Sequence, residues 1–251
     1  MTDLNILLVG GTGSIGRHVA RVATAAGHSI RILSRQGGAH TVRGDLTDPA
    51  SLADAVRDID AVIFTHGTHG AEAGYRDVDY GGVRNVLEAV GDRPLRIALM
   101  TAIGVTYREG SYNRSNRAHD WKRRAERIVR ASGHGYTIVR PSWFDYNDDN
   151  QHELHLLQGD TRTSGSPADG VISREQLAEV LLAALTSDAA NGKTFELVAE
   201  RGPAQTDLEP LFAALAPDTG LDGAKDAENM PVSEEPAAVR DDLDRIAPRR
   251  G

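Results

Sequence analysis

The stretch Leu4-Asn-Ile-Leu-Leu-Val-Gly-Gly-Thr-Gly-Ser-Ile-Gly-Arg-His-Val19 joins an apolar run, a glycine turn and a helix start without interruption. The run Ile6 to Val9 is typical of a parallel strand that is covered on both faces. The three glycines Gly10, Gly13 and Gly16 follow at G-x-x-G-x-x-G spacing. At this spacing Gly10 allows a tight turn after the strand, Gly13 allows a pyrophosphate to approach the backbone closely, and Gly16 allows the helix to pack on the sheet. An ordinary glycine-rich turn is the alternative, but the preceding strand and following helix favour a nucleotide site whose phosphates bind free helix N–H groups.

Length and composition limit the class of protein. The chain has 251 residues, of which 40% are hydrophobic and 25% charged, as in a globular protein with one α/β domain and a small addition. Its formal charge of −8 argues against a nucleic-acid partner. The absence of cysteine excludes disulfides and thiolate chemistry. We find neither a signal peptide nor a membrane-spanning run, and we therefore expect a cytoplasmic protein with no membrane partner.

Strands and helices alternate along the first part of the chain. The predicted strands after the first are 29–34, 42–44, 60–64, 95–102 and 136–140. The predicted helices are 17–26, 49–56, 77–90 and a long basic helix over 114–132. This alternation predicts a doubly wound parallel sheet of the Rossmann type, an α/β fold that binds its ligand beyond the carboxyl ends of the strands.

The pattern changes after Pro141. Residues 143–170 are polar and without a clear period, and we expect loops around a substrate pocket. A helix over 173–186, a last core strand over 193–199 and a short helix over 206–216 follow. We therefore divide the chain into an NAD(P)-binding core (1–142), a small substrate-binding region (143–216) and an acidic tail (217–251) that is expected to be extended or mobile.

The end of the second strand bears on the choice of cofactor. In this fold an acidic residue there accepts a hydrogen bond from the ribose of NAD, whereas an arginine pairs with the 2′-phosphate of NADP. The sequence has Ser34-Arg35-Gln36 and no acidic residue. It therefore favours NADP(H) over NAD(H), although Arg35 on a solvated loop is the alternative.

Several motifs together resemble the atypical short-chain dehydrogenases/reductases, in particular the NmrA-like and NAD(P)H-binding branch related to biliverdin and flavin reductases. They are the glycine motif, Gly44-Asp-Leu-Thr47, Met100-Thr-Ala-Ile-Gly-Val105, Trp121-Lys-Arg-Arg-Ala-Glu126, Ala131-Ser-Gly133 and Tyr136-Thr-Ile-Val-Arg-Pro141. The similarity covers roughly residues 4 to 200. It implies that Asp45 and Leu46 contact adenine, that the Thr65 to Gly67 loop lies beside the nicotinamide, and that the segment after Pro141 frames it.

The resemblance fails at the catalytic tyrosine. Enzymes of the wider superfamily use a serine after the fifth strand and a Tyr-x-x-x-Lys motif on the next helix. Here Lys122 is present, but Ala118 stands at the tyrosine position and Thr101-Ala102 at the serine position. The usual proton donor is therefore missing. We expect Thr101 to orient a carbonyl and Lys122 to hold the nicotinamide ribose, the alternative for Lys122 being a solvated member of a charged run. The groups that we considered as a replacement donor are Tyr107, Tyr112, His119 and Tyr146.

The predicted catalytic residues are accordingly Thr101 and Lys122. The predicted cofactor-binding residues are Gly10, Thr12, Gly13, Ser14, Ile15, Gly16, Arg35, Asp45, Leu46, Thr65, His66, Gly67, Thr101, Lys122, Pro141 and Trp143. His66 with His69 and His152 with His155 lack a third ligand at a suitable spacing, and no metal site is predicted.

The leading hypothesis is an NADPH-dependent oxidoreductase that transfers hydride to a small aromatic or quinonoid acceptor. Such a transfer needs alignment and exclusion of water more than a tyrosine. A non-enzymatic NADP(H)-binding redox sensor is one alternative, and a tailoring enzyme with different chemistry in the same cleft is another. We expect a small-molecule substrate and a monomer or homodimer.

Overall fold

The computed structural model describes residues 3–38 and 40–248. Its strands are β1 (Asn5–Val9), β2 (Ser29–Ser34), β3 (Thr41–Arg43), β4 (Ala61–Phe64), β5 (Arg96–Met100), β6 (Gly135–Pro141), β7 (Trp143–Phe144), β8 (Glu153–Leu157), β9 (Val171–Ile172) and β10 (Lys193–Glu200). Its α-helices are α1 (Gly16–Ala25), α2 (Glu72–Gly74), α3 (Gly81–Val90), α4 (Ser111–Asn116), α5 (Ala118–Ala131), α6 (Arg174–Thr186), α7 (Glu209–Ala214) and α8 (Ala237–Ile246). Residues 1, 2, 39 and 249–251, which belong to the predicted core and tail segments, lie outside the described residues.

The sheet has the predicted architecture. Seven strands run parallel in the order β3-β2-β1-β4-β5-β6-β10. The side chains of β1 alternate between two cores: Leu7 and Val9 pack on one face, and Ile6 and Leu8 on the other. Burial on both faces explains the continuous apolar run of this strand. The strand order reverses at β1, so the carboxyl ends of β1 and β4 open the crevice in which such folds bind ligands. The doubly wound α/β fold is confirmed.

Helices cover both faces of the sheet. The core on one face contains apolar side chains of α3, α5 and α8, and the core on the other contains those of α1, α6 and α7. Between α2 and α3 the helix continues as a π-helical segment, Tyr75–Tyr80. None of the helices in the described ranges is long and apolar enough to cross a membrane.

Two of the predictions for single segments are wrong. The basic helix over 114–132 is broken into α4 and α5, because Arg117 between them has a left-handed backbone with φ of 54°. Residues 143–170 are not only loops, since they contain β7 and β8. Strand β8 pairs antiparallel with β10, with Leu157 opposite Glu196. The sequence of β8, Glu-Leu-His-Leu-Leu, does alternate between polar and apolar residues, but the alternation is short and lies within a polar segment, and it was overlooked.

The acidic tail also differs from the prediction. Residues 217–248 are folded against α5 and are neither extended nor separate, and α8 packs its Val239 and Leu243 into the core. Acidic side chains of this segment pair with buried arginines of α5, as Glu235 does with Arg124 and Arg127 at 2.7 and 2.8 Å. Its acidity therefore reflects charge complementarity to a buried basic helix and not solvation. The division of the chain at residues 142 and 216 stays a prediction.

Candidate functional site

A cavity of about 1500 Å³ lies at the carboxyl ends of the parallel strands. Every predicted site residue except Gly16 lines it, namely Gly10, Thr12, Gly13, Ser14, Ile15, Arg35, Asp45, Leu46, Thr65, His66, Gly67, Thr101, Lys122, Pro141 and Trp143. The fold thus brings predicted residues together from the ends of six strands, β1 to β6, and adds Lys122 from α5. That they contact a cofactor or a substrate stays a prediction.

The glycine turn has the geometry of a phosphate cradle. Gly10 has φ of +87°, and a Cβ atom there would lie 2.6 Å from the backbone nitrogen of His66. A Cβ on Gly16 would lie 2.3 Å from the carbonyl oxygen of Gly10, so Gly16 serves packing of α1 and does not line the cavity. Helix α1 has Ile15 at its N-cap and no side-chain cap. The backbone N–H groups of Arg17 and His18 donate to the carbonyl oxygens of Gly13 and Ile15, but those of residues 14–16 have no acceptor among the described residues. These free N–H groups at the helix start are available to an anion, which fits the phosphates of a dinucleotide.

One end of the cavity has the features of an adenosine site. Arg35 and Asp45 both line the cavity at this end. Hydrogen bonds from the backbone and hydroxyl of Thr47 lower the pKa of Asp45, and the charge of Arg35 lowers it further. Asn85 donates to the carbonyl oxygen of Leu46 at 2.7 Å and so fixes the backbone there. The end of β2 therefore contributes an arginine to the cavity wall and contributes no carboxylate.

Thr101 lies at the other end with its hydroxyl already engaged. Its Oγ1 donates to Oε1 of Glu126 at 2.7 Å, and Arg140 donates to both oxygens of the same carboxylate at 3.0 and 2.7 Å. Burial opposes ionisation of Glu126, but Arg140 and Arg130 outweigh it and hold its pKa below the ordinary value. Because the carboxylate is ionised and the hydroxyl proton points at it, Thr101 has only lone pairs to offer a ligand. A carbonyl that needs a proton donor therefore does not receive one from Thr101 in this arrangement.

Lys122 is paired and not solvated. Its Nζ lies 2.6 Å from Oδ1 of Asp79, which is buried in the π-helical segment and also accepts from the backbone and hydroxyl of Thr68. A Cβ on Gly67 would lie 3.8 Å from Lys122 Nζ. The ammonium group is thus held beside the loop that was predicted to approach the nicotinamide. π-Helical turns are often found at functional sites, and here one carries the partner of the lysine.

The position of Ala118 has no phenol, but three tyrosines line the cavity elsewhere. Tyr75 is buried, and burial raises the pKa of its phenol, whereas Tyr107 and Tyr112 are partly exposed. Tyr146 is not among the lining residues. His119 lines the cavity directly after Ala118, stacks on Tyr112 with ring centroids 5.9 Å apart, and has its pKa lowered by burial. A neutral imidazole therefore lines the cavity at the position that follows Ala118 in the chain.

Three buried polar atoms along the cavity wall have no partner among the described residues. They are Nδ1 of His66, Nδ1 of His119 and Oγ of Ser142. Burying a polar atom without a hydrogen bond costs free energy, so such atoms commonly mark a place where a ligand or water completes the contact. Nε2 of His66 lies 3.0 Å from the carbonyl oxygen of Val78, and burial lowers the pKa of the ring. We infer from this contact a neutral ring whose Nδ1 is an acceptor.

Sequence reasoning missed two lining residues of this cavity and two carboxylates that bind lining residues. Ser142 was passed over between Pro141 and Trp143, and Arg174 opens the predicted helix after 173. Asp79 and Glu126, the partners of Lys122 and Thr101, lie within predicted helices. Only Ser142 had a usable signal, since it follows a strand end. The partners of Lys122 and Thr101 come from distant segments, which local patterns do not reveal. The described part of the chain holds no group of three or more His, Asp or Glu side chains that could bind a metal ion.

Comparisons with known proteins agree with this geometry. The photosystem II assembly factor Ycf39 of Synechocystis sp. is 24% identical over 248 residues, covering 94% of this chain and 72% of that protein. The uncharacterized sugar epimerase YhfK of Bacillus subtilis is 28% identical over 226 residues, covering 83% and 100%, respectively.

Solved structures share the fold at low identity. ChuY, an anaerobillin reductase from Escherichia coli O157:H7, has a TM-score of 0.59 at 21% identity, covering 80% of this chain and 100% of that one. A short-chain dehydrogenase/reductase from Veillonella parvula in complex with NADP has a TM-score of 0.58 at 17% identity, covering 78% and 95%. A superfamily member from Agrobacterium tumefaciens with bound NAD has a TM-score of 0.57 at 19% identity, covering 84% and 80%.

The family model for NAD(P)H-binding proteins matches residues 10–188, which include the glycine turn, the Thr101 strand end, Lys122 and the segment after Pro141. This match extends over well more than half of the sequence, and the chain belongs to the NAD(P)H-binding family.

Proposed function

We propose that the protein is an NADPH-dependent oxidoreductase that reduces a small aromatic or quinonoid acceptor. The observation that carries the proposal is the continuity of the cavity. It runs from the glycine turn and Arg35 at one end to Lys122 and Trp143 at the other. Its volume of about 1500 Å³ exceeds the roughly 300–1000 Å³ of an ordinary small-molecule pocket, which leaves room for a dinucleotide and a second ligand.

The preference for NADPH over NADH is supported by Arg35. A guanidinium at the end of β2 can pair with a 2′-phosphate, whereas a carboxylate at that place would accept a ribose hydroxyl and repel the phosphate. The carboxylate of Asp45 accepts its hydrogen bonds from Thr47 and forms no direct ion pair with Arg35 among the described residues, so the guanidinium keeps its N–H donors for a phosphate. NADP(H) is therefore the form of the cofactor that this end fits better.

The acceptor is inferred from what the other end lacks. The bound nicotinamide supplies hydride, and Lys122, held by Asp79, is placed to bind its ribose. Reduction of a simple ketone also needs a proton on the carbonyl oxygen in the transition state, but Ala118 has no phenol and the Thr101 proton is directed at Glu126. A quinone or flavin spreads the incoming negative charge over its ring system and can take its proton from water afterwards.

Aromatic walls at this end favour a flat acceptor. Trp143 lies with its ring centroid 6.4 Å from that of Tyr112, and both residues line the cavity. The unpartnered Oγ of Ser142 and Nδ1 of His119 can meet polar atoms of the nicotinamide or of the acceptor. The structural neighbour ChuY is named a reductase of anaerobillin, and another neighbour is titled an NADH-flavin reductase. Those titles describe the neighbours and agree with an acceptor of this type.

The test is turnover of NADPH with a panel of quinones, flavins and simple carbonyl compounds, each assayed with nicotinamide deuterated at either face of C4. We expect oxidation with quinones or flavins, a primary isotope effect for one face alone, and no reaction with simple ketones. The matched variant Lys122→Met should raise KM for NADPH. Tight NADPH binding without oxidation by any member of the panel would overturn the proposal.

A redox sensor is the second candidate, and the same two residues favour it. Ala118 and the engaged Thr101 leave a dinucleotide site without a proton donor, which suits a protein that binds the cofactor and signals. The relative Ycf39 is named a photosystem II assembly factor. A sensor must bind NADPH and NADP⁺ with different affinities, since a ligand shifts an equilibrium only through its differential affinity for two states. A hundredfold ratio of the two dissociation constants, without turnover, would favour this candidate.

A further inference from the structure

We propose that Arg174 binds the pyrophosphate of the dinucleotide from the side opposite the glycine turn. The residue was not among those predicted from sequence. The proposal rests on binding of a dinucleotide in the cavity and does not depend on which acceptor is reduced. It adds a specific phosphate contact from the segment that was predicted to bind substrate.

The position of the guanidinium is the first argument. Arg174 is the first residue of α6 and lines the cavity. Its Nε donates to Oγ of Ser14 at 3.3 Å, and Ser14 belongs to the turn whose backbone was predicted to hold the phosphates. The arginine thus reaches from a distant part of the chain to the uncapped start of α1.

Charge is the second argument. Residues 10–16 contain no basic side chain, so the turn offers a pyrophosphate neutral donors, namely backbone N–H groups and the hydroxyls of Thr12 and Ser14, together with the helix dipole. Five basic side chains line the cavity: Arg35, Arg114, Lys122, Arg162 and Arg174. Among these, in the described part of the chain, only Arg174 is hydrogen-bonded to a residue of the turn. Two negative charges at the pyrophosphate are best compensated by a cation at this place.

The third argument is that the side chain is held ready. Asp145 accepts hydrogen bonds from both the backbone N–H and Nη1 of Arg174, and the guanidinium carbon lies 5.1 Å from the centre of the Phe144 ring. Asp145 adopts φ of +59° to do so, a conformation that few residues other than glycine adopt. Nη2 has no partner among the described residues, so its two N–H donors can bind a phosphate without breaking the existing contacts.

This arrangement links the two ligands of the cavity. Phe144 and Asp145 directly follow Trp143, which was predicted to frame the nicotinamide. A phosphate bound to Arg174 therefore fixes the strand β7 that forms the acceptor side. We expect the cofactor to bind before the acceptor.

The test uses two nucleotide fragments that separate the phosphate sites. Adenosine 5′-diphosphate carries the pyrophosphate alone, and adenosine 2′-monophosphate carries the 2′-phosphate alone. For Arg174→Ala we expect the dissociation constant of the 5′-diphosphate to rise about tenfold, roughly 1.4 kcal/mol, with that of the 2′-monophosphate unchanged. Arg35→Ala should give the opposite pattern. Loss of 5′-diphosphate affinity should also shrink at high salt.

The matched control is Arg21→Ala, which removes an exposed ion pair with Glu175, the residue next to Arg174. This control should leave both constants unchanged. Equal affinities of wild type and Arg174→Ala for the 5′-diphosphate would overturn the inference. If Arg174→Ala weakened binding of both fragments and also lowered Tm, the role of Arg174 would be structural, and the inference would likewise be overturned. Arg174→Lys keeps the charge and should recover part of the affinity. If the expected binding results were obtained but no acceptor oxidised NADPH, the proposed reductase activity would be rejected and the inference about Arg174 would still hold.

Discussion

Replacement of Glu235 by glutamine should unfold a large part of the contact between the C-terminal segment and α5. The Glu235 carboxylate is almost fully buried and pairs with two guanidinium groups, Arg124 at 2.7 Å and Arg127 at 2.8 Å, which are also buried. Arg127 keeps a second partner in Asp222, but the carboxylate partner of Arg124 is lost. Removing one partner from a buried ion pair costs about 3–5 kcal/mol. At about 2–4 °C per kcal/mol for a chain of this size, Tm should fall by roughly 6–20 °C.

The assay is urea unfolding followed by tryptophan fluorescence, together with a thermal scan. Glu234→Gln is the matched control, because Glu234 is the neighbouring residue, carries the same charge and is exposed. We expect the control to lie within about 0.5 kcal/mol of wild type, as surface substitutions usually do. A loss below about 1 kcal/mol for Glu235→Gln would refute the reasoning, because the segment would then contribute little to holding α5.

Three further predictions concern pH and the cavity. Burial raises the pKa of Glu196 from its ordinary value of 4.5 to about 7. The folded state therefore binds a proton more tightly than the unfolded state, which adds about 3 kcal/mol to the free energy of unfolding below pH 4.5. This contribution is lost as the pH rises through 7. Urea unfolding at pH 5 and pH 8 should show that decrease in wild type, and Glu196→Gln should lack it. Gly16→Ala should destabilise the protein by about 1–3 kcal/mol, because the new Cβ would clash with the backbone of Gly10. Gly13→Ala should retain the wild-type Tm and lose NADPH affinity. Equal Tm values for the two variants would contradict this prediction. Lys122→Met should cost about 3 kcal/mol by leaving buried Asp79 unpaired, and the double variant with Asp79→Asn should recover most of it, as a double-mutant cycle can measure.

The part of the fold that sequence predicted is the part governed by local patterns. The apolar run of β1 is visible because both faces of that strand are buried, and Gly10 is recognisable because its turn tolerates no Cβ. Repetition of strand and helix then predicts a doubly wound parallel sheet up to β6, although not the order of its strands. The position of the cavity follows from the parallel direction, because parallel strands place their carboxyl ends together.

The basic run of α5 was misleading for a physical reason. Arginines at 123, 124, 127 and 130 suggest a solvated helix face, yet all four side chains are buried in ion pairs. Buried charges of this kind need partners, and the partners are acidic residues about 90 to 110 positions later in the chain. Composition alone cannot pair two distant segments of opposite charge. The helix was therefore predicted only as a basic helix without partners, and the tail as extended or mobile.

The same limit applies to the site. Thr101 and Lys122 were found from motif spacing, but the carboxylates of Glu126 and Asp79 that determine what these groups can do are visible only in three dimensions. Arg174 was placed correctly at a helix start, whereas its reach to Ser14 depends on how α6 packs beside α1.

Titration of the purified protein with NADPH, NADP⁺, NADH and NAD⁺, followed by quenching of its two tryptophans, decides whether this cavity is an NADPH site used for hydride transfer. We predict that both phosphorylated forms bind at least tenfold more tightly than their unphosphorylated counterparts, and that NADPH and NADP⁺ agree within about tenfold, roughly 1.4 kcal/mol. Equal affinity for NADH and NADPH would contradict the role given to Arg35. A hundredfold difference between NADPH and NADP⁺ would contradict the reductase and favour the sensor.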